Sequence, residues 1–223
     1  MNVSLSEIID ELKTIGSGRT FDALLPPLIF LIINRILGLN IALIAALSVA
    51  VIFGIMRLLR RQNWFYALGG FIGVSLASGL AYLTRSAASY FIPAIVTSII
   101  LLLLTLISQF VGKPLAAWAS HLTRGWPLKW FWRQDVKPAY REVTWMWTGF
   151  LAVRLTLQIL LFRIGEAKQL TWANTLLGWP FTILVLVLSY VYGIWRLRRL
   201  GGPGVEEFKQ GEKPPWEGQK KGF

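Results

Sequence analysis

The chain has 223 residues, of which 55% are hydrophobic, with a formal net charge of +12 and no cysteine. Several apolar runs are long enough to cross a bilayer, so the composition excludes a soluble globular domain and predicts one compact membrane domain. Without cysteine, thiol catalysis, disulfides and cysteine-ligated metals are excluded, and the single His121 cannot form a histidine-based metal site alone.

The N-terminal segment, residues 1–20, predicts a surface helix and no cleaved signal. It lacks a basic region followed by an apolar one, so we expect the first apolar helix to direct insertion. From Ser4 to Ile15, Ser4 and Glu7 have capping-box spacing and the apolar residues share one side, which predicts a short amphipathic helix on the membrane surface. A cap on the bundle is the favoured interpretation, and a partner-docking helix is the alternative.

Six apolar stretches between residues 21 and 200 predict an all-α, polytopic bundle of six transmembrane helices. The first is short for a full crossing, because about 15 residues rise only about 22 Å. In the sixth, Gly178 and Pro180 are expected to bend the first part of the helix. The predicted spans are 23–37, 41–59, 64–83, 91–111, 143–162 and 174–195.

Small residues recur at every fourth position of the second and third predicted helices. Such stripes allow two backbones to approach closely in a membrane. We therefore predict that these helices pack as an antiparallel pair through residues Ala42, Ala46, Ala50 and Gly54 on one helix and Gly69, Gly73 and Ala77 on the other.

The longest polar connection, Gly112 to Glu142, is strongly basic and contains Trp118, Trp126, Trp130 and Trp132. Basic and aromatic residues together are compatible with nucleic-acid binding, but indole rings beside spanning helices are better explained by the interfacial aromatic belt. We therefore predict contact with the bilayer and with anionic lipids at the cytoplasmic face, and no nucleic-acid partner.

The fifth predicted span, Val143 to Phe162, has an arginine at its middle. Arg154 is followed one helical turn later by Gln158, so the helix has a polar stripe that should face protein or trapped water. Candidate neighbours are Gln109, Asn34 and Asp22, of which Asp22 is otherwise the N-cap of the first helix. The residues leave open whether this cluster is structural or binds an anionic ligand.

The basic residues predict the orientation. With the N-terminus inside, most of the 23 lysines and arginines lie on the cytoplasmic side, which favours a cell-membrane protein with both termini cytoplasmic. The last segment, 201–223, is rich in Gly, Pro, Glu and Lys and is predicted to be disordered.

No catalytic constellation is evident in the sequence. None of the 11 carboxylates lies well inside a predicted span, which weakens the case for proton-coupled transport. Paired acids, metal-ligand clusters and nucleotide-binding motifs are also missing from the pattern. We therefore predict a protein that is not an enzyme and has no catalytic residue, metal or cofactor.

Several short motifs occur in order along the chain from about Arg19 to Leu200. They are Phe21-Asp22 with Leu25-Pro26 and Phe30, Ile41-Ala42 with Ala45-Ala46, Gly112-Lys113-Pro114-Leu115, Trp147 with Arg154 and Gln158, and Gly178-Trp179-Pro180. With these motifs the chain resembles the bacterial membrane family named domain of unknown function 3159 (DUF3159), and more distantly the intracellular septation protein A family. The second resemblance implies an inner-membrane protein linked to cell division and envelope synthesis through protein contacts, without known catalysis.

Two hypotheses for the function follow. The first is a non-enzymatic membrane scaffold that contacts envelope or division proteins. The second is a small transporter or ligand-binding membrane subunit, similar in size and helix number to the substrate-binding subunits of vitamin uptake systems. In that hypothesis Arg154 binds a substrate carboxylate.

Overall fold

The computed structural model describes residues 19–59, 64–219 and 222–223. Within these ranges the regular secondary structure is entirely helical. The predicted surface helix from Ser4 to Ile15 lies outside the described residues. A short 3-10 helix, Ala87–Phe91, precedes α4, and the α-helices are α1 Arg19–Leu37, α2 Leu39–Leu59, α3 Trp64–Thr84, α4 Ile92–Phe110, α5 Leu115–Arg124, α6 Leu128–Phe131, α7 Lys137–Ile164, α8 Ala167–Leu176, α9 Trp179–Leu200 and α10 Val205–Gln210.

Four segments are long and apolar enough to cross a membrane, namely Leu39–Met56, Ala87–Phe110, Lys137–Ile164 and Ala167–Leu200. Two shorter apolar helices, Pro26–Leu37 and Leu68–Thr84, accompany them. The all-α class is confirmed, and the long helices are consistent with a multi-pass membrane protein. Six full crossings stay a prediction.

Helix α7 is longer than the span predicted for it. Its 28 residues extend about 42 Å, more than the hydrocarbon core of about 30 Å. The additional residues lie mostly at its start, where Lys137, Arg141 and Glu142 precede the apolar run. An apolar run in the sequence shows only the part of a helix that is long and apolar enough to lie in the hydrocarbon core. It does not show helical turns that continue into the polar headgroup layer.

The predicted sixth span is two helices, α8 and α9, and the expected bend at Gly178 is a break. A Cβ atom at Gly178 would lie too close to the carbonyl oxygen of Asn174, so the turn requires glycine. Pro180 stands in the first turn of α9, where its missing N–H costs no intrahelical hydrogen bond. The turn between Asn174 and Trp179 thus ends one helix and starts the next.

The chain divides into two compact units, and the first contains the described residues up to Thr97 together with Leu155–Pro180. In this unit α2 packs against α1 and α3, and α8 contacts α1. The ring of Phe30 stacks on Tyr90 with 4.2 Å between centroids. Around this pair lies an apolar core that includes Ala42, Ala46, Ala77, Ala81 and Leu170.

Alanines, and not glycines, form the buried part of the small-residue stripes. Ala42, Ala46, Ala50 and Ala77 are buried, whereas Gly54 is half-buried. Gly69 and Gly73 are exposed, and a Cβ atom at either position would meet no other atom within 4 Å. Close packing between α2 and α3 therefore uses the alanine end of each stripe, while the glycine end of α3 stays open.

The second unit contains Ser98–Arg154 and Phe181–Phe223. Its core is a cluster of buried residues from α5, α6, α7, α9 and α10. Much of this core comes from the polar connection, Gly112 to Glu142, and from the C-terminal segment, 201–223.

Candidate functional site

The predicted polar cluster on α7 is built differently from the expectation. Gln158 is completely buried, and its Nε2 donates a hydrogen bond to Oδ1 of Asn174 at 2.6 Å. Asn174 in turn donates from Nδ2 to the carbonyl oxygen of Leu170 at 2.8 Å. Oε1 of Gln158 is buried without a hydrogen-bond partner among the described residues. Asn174 was not predicted as a neighbour of Gln158, because only folding brings the end of α8 to α7. The available signal was an amide residue at the start of an apolar run.

Arg154 is not paired with its predicted neighbour Gln109. The Nε2 atom of Gln109 donates instead to the carbonyl oxygen of Arg141 at 2.8 Å. Arg154 is half-buried, and its Nε is buried with no hydrogen-bond partner among the described residues. Asn34 is half-buried on α1, and the side chain of Asp22 lies outside the described part of the chain. Arg154 therefore keeps an unused donor in the middle of a membrane-length helix.

The segment from Gly112 to Glu142 is a folded region and not an extended polar loop. Pro114 precedes α5, and Gly125 ends it in the left-handed conformation with φ 68°, its N–H donating to the carbonyl oxygen of His121. Pro127 then precedes the short helix α6. Proline and glycine thus fix the ends of these helices, as their restricted and permissive backbones favour.

Hydroxyl groups from two long helices hold the start of α5. The N–H of Leu115 donates to Oγ of Ser108 on α4, and the N–H of Ala116 donates to Oγ1 of Thr144 on α7, both at 3.1 Å. The first N–H groups of a helix lack partners within the helix, so these two bonds satisfy donors that would otherwise be unmet. They also fix α5 against both long helices.

An aromatic cluster, made of Trp126, Trp130, Phe131, Tyr140 and Phe223, forms the centre of this region. Trp130, Phe131 and Tyr140 have no exposed surface, and the centroids of Phe131 and Tyr140 lie 4.9 Å apart in an edge-to-face arrangement. Trp130 also donates from Nε1 to the carbonyl oxygen of Pro203 at 2.9 Å. The prediction of an interfacial role is therefore wrong for Trp130, whose indole is used inside the protein.

The C-terminal segment is ordered against this cluster, so the predicted disorder is wrong for its described residues. Phe223 stacks face to face on Tyr140, with 4.3 Å between centroids and an angle of 9°. Val205 is buried in the same core, and the guanidinium of Arg133 lies over the ring of Trp216 at 5.1 Å. Composition suggested disorder because apolar residues are few, but those few occupy positions on an existing core.

One carboxylate organises the backbone of the C-terminal segment. Glu207 accepts hydrogen bonds from the N–H groups of Gly204, Glu217 and Gly218 at distances of 2.6 to 3.1 Å. Charge-assisted hydrogen bonds of this kind are stronger than neutral ones. Glu207 thereby connects the start of α10 to the chain that follows it.

An ion pair that was not predicted from the sequence joins α7 to α9. Arg196 donates from Nε and Nη2 to the two carboxylate oxygens of Glu142 at 2.8 and 2.9 Å, and the hydroxyl of Tyr192 donates to the same carboxylate at 2.7 Å. The spacing of Tyr192 and Arg196 by one helical turn was the available signal. Their common acceptor became visible only in the tertiary structure.

Beside this ion pair lies a groove of about 510 Å³ at the start of α7. Nearby, Arg133 donates to both oxygens of Asp135, and this pairing raises the pKa of the guanidinium. No group of three or more His, Asp or Glu residues that could hold a metal occurs in the ranges that the structure describes. The groove is lined by Gln134, Lys137, Pro138, Arg141, Glu142 and Trp145.

The hydrogen bond between Gln158 and Asn174 is expected to stabilise the first unit. Gln158→Leu or Asn174→Leu should each lower the free energy of unfolding by about 1–3 kcal/mol, since the remaining amide is left buried without its partner. The double variant should lose less than the sum, with a coupling energy of about 1 kcal/mol. Thermal unfolding in detergent of the wild type, the two single variants and the double variant measures these differences. Ser48→Ala is the control, because its exposed hydroxyl donates to the carbonyl oxygen of Ile44 in its own helix. Strict additivity of the two single variants would contradict the prediction.

Gly193 on α9 is expected to be required for docking of the C-terminal segment. A Cβ atom there would collide with the ring of Phe223, so Gly193→Ala should displace the ring from Tyr140. Losing a buried aromatic contact worth about 2 kcal/mol should make trypsin cleavage after Lys209 at least about tenfold faster.

The control for this experiment is Gly149→Ala, whose added Cβ would meet no other atom within 4 Å. Phe223→Ala should reproduce the faster cleavage. Equal cleavage rates for the wild type and Gly193→Ala would show that Phe223 does not hold the segment in place.

Comparison with known proteins gives a match to a protein family. No curated protein and no solved structure matches the chain. Residues 16–198 match the family described as "Protein of unknown function (DUF3159)". The matched range contains three of the four membrane-length segments and all but the last two residues of the fourth, Ala167–Leu200. The chain therefore belongs to the DUF3159 family.

Proposed function

We propose that the protein is a non-enzymatic scaffold of the bacterial cell membrane, with both termini cytoplasmic, whose protein contacts help to organise envelope synthesis or cell division. The observation that supports this proposal is the folded region outside the long apolar helices. Burial of Trp130, Phe131 and Tyr140 gives this region a fixed surface, as a docking platform requires. The link to envelope synthesis and division rests on the resemblance to the septation protein A family.

The exposed side of α5 is the best candidate for the contact surface. Trp118 and Leu122 stand one turn apart on this helix and are 36% and 80% exposed. Tryptophan is enriched among residues that dominate the energy of protein interfaces. The hydroxyl bonds of Ser108 and Thr144 hold the start of this helix in place, so its exposed side is presented in one orientation.

The scaffold proposal predicts specific protein partners. Trp118→Ser combined with Leu122→Ser should reduce recovery of co-purified envelope or division proteins at least about fivefold, because truncation of a central interface residue costs more than about 1 kcal/mol. Quantitative mass spectrometry of the protein isolated from its own membrane in mild detergent measures this recovery. Ala119→Ser, an exposed change on the same helix, is the control. Unchanged recovery in a folded double variant would reject the proposed surface.

A second candidate function, binding of an anionic small molecule for transport, is favoured by one observation. The buried Nε of Arg154 has no hydrogen-bond partner among the described residues. A buried unpaired donor of a charged group is costly, so it is usually satisfied by a ligand or water. A carboxylate would satisfy it through a charge-assisted hydrogen bond.

The second candidate predicts that a stoichiometric anionic molecule co-purifies with the wild-type protein. Arg154→Gln should reduce its recovery about tenfold or more, because a hydrogen bond to a charged group contributes about 1.5–3 kcal/mol. Mass spectrometry of the extracted small molecules measures this. Arg163→Gln is the matched control, since Arg163 is exposed in the last turn of the same helix. A folded Arg154→Gln variant with an unchanged small-molecule profile would reject transport through this residue.

A further inference from the structure

The groove at the start of α7 combines a charged part with an aromatic part. Lys137 and Arg141 lie one helical turn apart, and Trp145 follows after another turn. We propose that this groove is a binding site for the phosphate headgroup of an anionic phospholipid. The proposal is independent of the scaffold proposal, because it uses a different helix and a different class of partner.

The charge of the groove is positive because its one carboxylate is already neutralised. Both oxygens of Glu142 accept hydrogen bonds from Arg196, and one also accepts from Tyr192. Lys137 and Arg141 have no carboxylate within 4 Å in the part of the chain that the structure describes. Two unpaired cations therefore face the groove, next to an acid that is fully occupied by its own partners.

The position of the groove along α7 matches the headgroup layer. Lys137 and Arg141 precede the apolar run that begins at Val143, and Trp145 lies just inside it with 46% of its surface exposed. In membrane proteins, indole rings collect at this boundary, and basic residues reach the phosphates above it. The phosphate of a phospholipid placed there would contact the two cations. Its glycerol and upper acyl region would contact the indole of Trp145.

Contacts with neighbouring helices hold the groove in shape before a lipid arrives. The backbone carbonyl of Arg141 accepts a hydrogen bond from Gln109 on α4, and Thr144 accepts one from the backbone of α5. A rigid site loses less conformational entropy on binding than a flexible one. Arg141 can donate two parallel hydrogen bonds to a phosphate, and Lys137 adds a compact charge. The volume of about 510 Å³ accommodates a headgroup rather than a single ion.

The test is a native mass-spectrometric lipid titration of the full chain in detergent. Phosphatidylglycerol should bind more tightly than phosphatidylcholine with the same acyl chains. Lys137→Gln combined with Arg141→Gln should weaken phosphatidylglycerol binding at least about tenfold, or about 1.4 kcal/mol, whereas the charge-conserving Lys137→Arg variant, which keeps Arg141, should retain it.

The control pair is Lys129→Gln with Arg198→Gln, which removes the same charge from two exposed positions outside the groove. Binding within twofold of the wild type is expected for this pair. An equal loss in the control pair would overturn the proposal, because attraction would then be diffuse. Displacement of the lipid by excess inorganic phosphate would also overturn it, since the ligand would then be a soluble phosphate.

A spectroscopic measurement covers the case in which the double variant fails to fold. Phosphatidylglycerol with brominated acyl chains should quench the tryptophan fluorescence of the wild type more than that of Trp145→Phe, because bromine quenches indoles in contact with the lipid. Equal quenching of the two proteins would overturn the placement of the lipid beside Trp145.

Discussion

The region outside the long apolar helices depends on the burial of three aromatic rings. Trp130 and Phe131 come from a helix of four residues, which has too few hydrogen bonds to be stable by itself. Their contact with Tyr140 on α7 supplies the missing stabilisation, and the indole N–H reaches Pro203 at the start of the C-terminal segment. Because each element adds surface to the same core, α5, α6 and α10 are ordered together.

Polar side chains at membrane depth have two different environments in this protein. Gln158 shares its amide with Asn174 and is fully enclosed, as expected for a structural bond between helices. The Nε atom of Arg154 is buried without a hydrogen-bond partner among the described residues, and the Oε1 atom of Gln158 also has none there. The two residues stand one turn apart on α7, and Gln158 is completely buried and bonded to Asn174 whereas Arg154 is half-buried.

The ion pair between Glu142 and Arg196 has a consequence for the surface beside it. Arg196 donates hydrogen bonds to both oxygens of Glu142 and neutralises its charge. The carboxylate is therefore not free to pair with Lys137 or Arg141. The nearby ion pair between Arg133 and Asp135 likewise leaves no net charge at these two residues. The local charge is thus decided by which groups are paired, and not by the number of basic residues in the segment. The proposed lipid site and the proposed protein-binding surface on α5 use different helices.

The sequence by itself determined the class of the protein, its family and the approximate position of its apolar helices, because hydrophobicity and length are local properties. It also located Arg154, since a charge within an apolar run is visible without a fold. Only the tertiary structure decided that Asn174 binds Gln158, that Trp130 is buried and that Arg196 neutralises Glu142. These pairs are separated by 16 to 73 positions in the chain, so no local pattern connects them. The order of the C-terminal segment has the same cause, because the few apolar residues it contains become stabilising only on a core that other helices have already built.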